Sequence, residues 1–169
     1  MNQNNLNQAV ILAGGLGTRL KPYTDKFPKP MIEINGKPFI NYLLEYLASE
    51  KIKKVIILSG YKSEIIENHI GDGSKFGVEV TFSRLDSNAQ TSERLFNCFN
   101  KLNDKFLLMY CDNFIPLNLN KVIKNFYQEG KKAQVTIYKN KHLMTKNNVL
   151  YKNNNILKYD KFRTDKDLN

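Results

Sequence analysis

The sequence predicts an α/β fold in which a mostly parallel central sheet carries helices on both faces. Three observations point to it. Val55-Ile56-Ile57-Leu58 and Phe106-Leu107-Leu108-Met109-Tyr110 are continuous apolar runs, the composition of strands covered on both sides. Segments with apolar residues at helical spacing alternate with such runs along the chain, the order of β-α-β units. A further run, Val10-Ile11-Leu12-Ala13, breaks into Gly14-Gly15-Leu16-Gly17, as a buried strand does when it delivers its backbone to a ligand.

The elements follow in order. Met1 to Gln8 is polar and reads as a disordered tail. Lys21 to Pro30 carries three prolines and should be extended. Met31-Ile32-Glu33-Ile34 alternates as a short strand before the turn signal Asn35-Gly36. Pro38 suits a first helical position, and Ile40, Leu43, Leu44 and Leu47 trace a helix to about Ser49. After the Val55–Leu58 strand, Ser63 is placed to cap a helix through Ile65, Ile66 and Ile70, closed by Gly71. Val78, Val80 and Phe82 alternate as a strand, and Leu95, Phe99 and Leu102 share one face of a helix. Following the Phe106–Tyr110 strand, Leu119, Val122, Ile123, Phe126 and Tyr127 outline an amphipathic helix with Gly130 past its end. Gln134 to Tyr138 reads as another strand. Val149-Leu150-Tyr151 and Ile156-Leu157-Lys158-Tyr159 form a hairpin around Lys152–Asn155. The phenylalanines and tyrosines fall at core periodicity. A single domain over 9–169 is expected.

Composition narrows the function classes. A chain of 169 residues with 41% hydrophobic content can bury one sizeable core. No run is long enough to span a membrane, and the N-terminal stretch lacks the order of a signal peptide. Cys98 and Cys111 make neither a metal cluster nor a disulfide framework, so reduced thiols and a cytoplasmic location are expected. The formal net charge of +10 comes from lysines spread along the chain rather than from a nucleic-acid module, so neither nucleic acid nor membrane is expected as a partner. Neither His69 nor His142 has the neighbours of a zinc site or a nucleophilic triad.

Three glycines within four positions leave peptide N–H groups open to phosphates, and Arg19 adds a permanently charged fork suited to phosphate oxygens. No lysine follows at the spacing of a P-loop, and Leu20 stands where a dinucleotide fingerprint needs its third glycine. Lys29, held between Pro28 and Pro30, has a restricted backbone that aims its ammonium. Asp112 leaves the Phe106–Tyr110 strand where a carboxylate can hold a hard cation such as Mg²⁺. In a parallel sheet the loops after both strands open at the carboxyl edge, where ligands lie.

Leu12-Ala13-Gly14-Gly15-Leu16-Gly17-Thr18-Arg19-Leu20, followed by Phe27-Pro28-Lys29-Pro30-Met31, resembles the signature of the sugar-1-phosphate nucleotidyltransferases. Tyr110-Cys111-Asp112-Asn113 is similar to that family's metal-binding segment, although a glycine commonly stands at the position of Cys111. Asp160-Lys161 resembles its acid–lysine pair, in which the acid touches the sugar and the lysine its phosphate. The resemblance runs from about Ala9 to Lys161. It implies a Rossmann-like three-layer sandwich and transfer of a nucleotidyl group from an NTP to a sugar 1-phosphate, with Mg²⁺ as cofactor. Leu12, Ala13, Gly14, Gly15, Gly17, Thr18 and Arg19 would bind the nucleotide. Arg19, Lys29 and Asp112 would be catalytic, Asp112 also binding the metal, and Asp160 and Lys161 would bind the sugar phosphate. Thr91 to Leu95 resembles a Thr-Gly-Gly-Arg-Leu segment of the hexose-1-phosphate cytidylyltransferases, so CTP and GTP are both carried forward as donors. Family members continue past the hairpin and supply a second acidic metal ligand, so truncation at the C-terminus relative to the family is expected. Two alternatives stay open: a cytidylyltransferase acting on a non-sugar phosphate ester, and a nucleotide-binding domain lacking catalysis. Homo-oligomerisation is also left open.

Overall fold

The computed structural model describes residues 6–142, 144–153 and 155–168. The chain divides into two compact units, Met1–Glu129 and Gly130–Asn169, where one body had been expected.

The first unit is built on a four-stranded, all-parallel sheet. Its strands are β1 (Gln8–Ala13), β4 (Lys54–Ser59), β5 (Glu79–Arg84) and β6 (Leu107–Tyr110), in the spatial order β5-β4-β1-β6. A short antiparallel pair, β2 (Glu33–Ile34) and β3 (Lys37–Pro38), closes the Asn35-Gly36 turn, where both residues have positive φ. The helices are α1 (Tyr23–Lys26), α2 (Phe39–Ser49), α3 (Ser63–Ile70), α4 (Thr91–Asn97) and α5 (Leu119–Glu129).

Alternation explains why β1 and β4 are apolar throughout, whereas β6, expected to be covered on both sides, lies at the sheet edge with Leu108 and Tyr110 exposed. On β1, Ala9, Ile11 and Ala13 enter one core with Val55 and Ile57 of β4. That core is covered by Ile40, Leu43, Leu44 and Leu47 of α2, Ile66 and Ile70 of α3, and Leu119 and Ile123 of α5. Val10 and Leu12, with Ile56 and Leu58, point to the opposite face and pack with Leu95 of α4, Cys98, Leu102 and Phe106. Helices therefore lie on both sides, and the three-layer α/β expectation is met.

Several local expectations are corrected. β1 begins at Gln8, whose buried side-chain amide donates to the Lys101 carbonyl at 2.9 Å and whose amide oxygen accepts from Asn103 N–H. Leu6 is buried too, so the tail expected over 1–8 is ordered from Leu6, while Met1–Asn5 lie outside the described residues. The stretch expected to be extended, Lys21 to Pro30, instead folds into α1 between two 3₁₀ turns, Thr18–Leu20 and Lys29–Met31. Its prolines fall at positions where a missing N–H is harmless: Pro22 is the N-cap of α1 and Pro28 that of the second turn. Ser63 is the first residue of α3 rather than its cap, and Pro38 precedes α2. α4 stops at Asn97 and passes into a 3₁₀ turn, Phe99–Lys101, which turns Cys98 inward and leaves Phe99 exposed. The core is aliphatic, since none of the described phenylalanines or tyrosines is buried.

The second unit contains one antiparallel hairpin, β7 (Val149–Lys152) and β8 (Asn155–Tyr159), with an irregularity between Leu150 and Tyr151. Asn154, in the expected turn, lies outside the described residues. The strand expected over Gln134–Tyr138 does not form: Val135, Ile137 and Tyr138 are exposed and find neither a pairing strand nor a covered face. Among the described residues no helix is long and apolar enough to cross a membrane.

Candidate active site

β1 and β6 are direct neighbours in parallel register, with Leu12 opposite Tyr110. The loops leaving their carboxyl ends therefore start side by side. Cys111 N–H donates to the Leu12 carbonyl at 3.3 Å, continuing the ladder one residue past β6 and presenting Asp112 beside the glycine loop. Of the expected residues, Leu12 and Ala13 are buried at the end of β1 and Gly14 is buried behind them. Gly15, Thr18 and Arg19 are exposed, and Gly17 is half-buried.

The glycines do different work. Gly15 has nothing within 4 Å of where a Cβ would be, so that side of the loop is free to receive a ligand. Gly17 has φ of +65°, and a Cβ there would sit 2.9 Å from Thr24 Cγ2 and 3.2 Å from Lys29 Cβ. Its conformation thus brings Thr24 and Lys29 against the loop, and Thr24 Oγ1 donates to the Gly17 carbonyl at 3.2 Å. Gly14 has no room for a Cβ because the Arg94 guanidinium occupies it, 2.1 Å from the ideal position. Of the three glycines expected to clear a path for phosphate, only Gly15 has open space where a Cβ would sit.

The Thr18–Met31 segment is held from the β4–α3 loop. Tyr61 Oη donates to the Thr24 carbonyl at 3.0 Å, and Lys62 Nζ donates to the carbonyls of Asp25 and Lys26. Lys29 opens the second 3₁₀ turn with its backbone fixed by the flanking prolines, and its Nζ meets Asp112 Oδ2 at 2.6 Å. Both side chains are about one-quarter to one-third exposed, so the pair faces solvent and can be opened. Arg19 makes no hydrogen bond or ion pair among the described residues and projects from the first 3₁₀ turn. Lys29 and Asp112 are thus brought together, with Arg19 on the same loop system at the same end of the sheet.

Cys111 is inert. Burial, then the neighbouring Asp112 carboxylate, pushes its thiol up to about 12. Its reading as a small buried hydrophobe is matched by 8% exposure.

In the second unit, Asp160 spends both oxygens on its own turn. Oδ1 accepts from Phe162 N–H, and Oδ2 from the N–H groups of Thr164 and Asp165. These bonds, that from Asp165 foremost, hold its carboxyl below the usual carboxylate range. Lys161 is exposed, with Nζ 5.9 Å from the Phe162 ring centroid.

A residue the site reading did not single out is Arg94, 5% exposed and aimed at the back of the glycine loop. Its signal was present only as part of the Thr91–Leu95 segment, because nothing local distinguishes a buried arginine from a solvated one. No group of three or more potential metal-ligating side chains converges among the described residues. Asp112 is the one expected metal ligand, and the Lys29 ammonium already sits on its carboxylate as a cation. A single carboxylate fits Mg²⁺ where substrate phosphates and water complete the shell.

The family profile described as Nucleotidyl transferase matches residues 8–147. A UTP–glucose-1-phosphate uridylyltransferase, AglF of Haloferax volcanii, is 36% identical over 117 residues, covering 69% of this chain and 48% of that protein. A D-glycero-alpha-D-manno-heptose 1-phosphate guanylyltransferase of Campylobacter jejuni is 35% identical over 118 residues, covering 70% of this chain and 53% of that protein. The crystal structure of HddC from Yersinia pseudotuberculosis complexed with GMP-PN superposes with a TM-score of 0.64 at 32% identity, covering 72% of this chain and 54% of that one. The chain spans about half the length of the curated relatives it matches. With the glycine loop, Arg19, Lys29 and Asp112 arranged on a parallel sheet as described, the chain belongs to the nucleotidyl transferase family.

Proposed function

We propose that this chain carries the nucleotide-binding half of an enzyme that transfers a nucleotidyl group from an NTP to a sugar 1-phosphate, releasing pyrophosphate. The observation that carries the reading is the side-by-side exit of β1 and β6, which sets Lys29 on Asp112 next to the open face of Gly15. The named activities of the relatives, uridylyl and guanylyl transfer to hexose and heptose 1-phosphates, support the reaction class. They differ in base, so GTP, UTP and CTP all remain donors to test.

In this scheme the sugar-phosphate oxygen attacks the α-phosphorus in line. A new P–O bond forms as the bond to the β-phosphate breaks and pyrophosphate leaves. No protein nucleophile is required, so the residues act by position and charge. The Gly15 side of the loop receives the triphosphate, and Arg19 balances charge growing on the departing pyrophosphate. Lys29 leaves Asp112 for a phosphate oxygen once the polyphosphate is bound. Asp112 would then hold Mg²⁺ with the phosphates, the ion supplying neutralisation of the triphosphate's charge. Toward the sugar phosphate, the resemblance points to Asp160 and Lys161.

A matrix of NTPs against sugar 1-phosphates, with Mg²⁺ and pyrophosphate as readout, tests the proposal on this chain and on a version extended to the relatives' length. Pyrophosphate from at least one pair, lost on Arg19→Ala, is the expected outcome. Pyrophosphate from no pair in either version, together with no NTP binding, overturns it.

A further inference from the structure

Among the described residues Arg94 is the only charged side chain that is buried. A guanidinium has five N–H donors and no acceptor, and burying it is costly unless those donors are met. Here each is directed at a different main-chain carbonyl. Nε faces Ala89 at 3.2 Å, Nη1 faces Ser59 at 2.8 Å and Leu85 at 3.5 Å, and Nη2 faces Gly14 at 3.3 Å and Asp86 at 2.6 Å. No carboxylate lies within hydrogen-bond distance of it among the described residues. The carbonyls belong to the chain leaving β1, β4 and β5, three adjacent strands, all at the carboxyl edge of the sheet.

The surrounding backbone is cleared for this group. A Cβ on Gly14 would lie 2.1 Å from Nη1 and 2.3 Å from Cζ. One on Gly60 would lie 3.0 Å from Nη1 and 2.7 Å from the Gly14 oxygen. The arginine is also delivered accurately: Gln90 and Glu93 form a capping box at the start of α4, and Arg94 is the next residue along the helix.

We infer that Arg94 is a positioning residue, a buried clasp that sets the orientation of the Gly14–Gly15 peptide for phosphate binding. The Gly14 carbonyl is held from behind by Arg94 Nη2 and by Tyr61 N–H, the latter at 3.3 Å. The peptide is trans, so its N–H, that of Gly15, points away from the clasp. Gly15 borders open space, where the proposed triphosphate would lie. Arg94 thus acts on the ligand through a peptide plane without touching it. The inference rests on the proposed NTP site.

The test is calorimetric titration of GTP, CTP and UTP, with Mg²⁺, into the full chain and its Arg94→Ala and Arg94→Lys variants, each at a temperature where circular dichroism reports a folded protein. The unsubstituted chain binds at least one nucleotide; failure there sinks the proposed function itself, and the inference with it. Arg94→Ala is expected to bind that nucleotide about tenfold or more weakly, since several buried carbonyls lose their donor. Guanidinium ion at a non-denaturing concentration should restore affinity, whereas ammonium should not. Arg94→Lys, with three donors on a flexible stem, should remain weak. Unchanged affinity in a folded Arg94→Ala chain overturns the inference, as does a loss that guanidinium does not repair. Failure of Arg94→Ala to fold even with guanidinium present would make Arg94 framework alone, and also overturns it.

Discussion

Lys29 and Asp112 are an ion pair, and in the proposed reaction each partner has another use. A solvent-facing pair contributes only about 0–1 kcal/mol, so breaking it is inexpensive. Asp112→Ala is therefore expected to leave the melting temperature within a few degrees while lowering pyrophosphate release about 100-fold or more, the usual cost of removing a preorganised charge contact. If Asp112 holds a divalent ion as proposed, Lys29 would compete with it for the same carboxylate oxygen. Lys29→Met should consequently tighten Mn²⁺ binding in the absence of nucleotide, read by paramagnetic resonance; unchanged Mn²⁺ affinity would remove Asp112 as the metal's seat. Cys111 makes a prediction of a different kind. Its thiol rises from the ordinary 9.0 to about 12, mainly through burial. The unfolded chain then loses this proton first on the alkaline side, so the folded state holds more protons between those values. Stability present below pH 9 should fall as pH climbs toward 12, by up to about 1.4 kcal/mol per pH unit from this group. Urea denaturation of Cys111→Ala alongside the parent checks this, the variant showing the shallower alkaline decline.

At the level of elements, folding and the proposed nucleotide binding rest on different glycines of the loop. Gly17→Ala forces a Cβ into a left-handed position against Thr24 and Lys29, which should cost about 1–2 kcal/mol and lower the melting temperature. Gly15→Ala meets nothing, so its melting temperature should stay unchanged while NTP affinity falls by about tenfold or more. Thermal melts paired with nucleotide titration distinguish the two, and equal affinity for Gly15→Ala and parent would deny the loop its phosphate role. The same logic explains why the loop after β1 was legible from sequence and its support was not. An apolar run ending in glycines marks a strand exit whatever surrounds it. The short helix α1 inside a proline-rich stretch was misread because Tyr61 and Lys62, remote in sequence, supply the carbonyls of Thr24, Asp25 and Lys26 with donors.

For the molecule as a whole, both hydrophobic clusters are drawn from residues between Leu6 and Tyr127. A chain ending at Glu129 is expected to unfold cooperatively at nearly the parental temperature, as monitored by far-ultraviolet circular dichroism. A non-cooperative melt would assign part of the core's stability to the second unit. Alternation along β7 and β8 was readable, because a turn between two apolar runs is a local pattern. Gln134 to Tyr138 shows the same alternation without becoming a strand, since periodicity names a face and cannot provide the partner that buries it.

By itself the sequence determined the strand and helix alternation, the double-faced burial of β1 and β4 and the glycine loop that opens after β1. These depend on local chemistry, where apolar periodicity, glycine and proline act within a few residues. Only the tertiary structure decided that β1 lies between β4 and β6, that Lys29 meets Asp112 across 83 positions, and that Arg94 fills the space a side chain at Gly14 would need. Those contacts join distant parts of the chain, and no local pattern encodes which carbonyls a buried guanidinium will find.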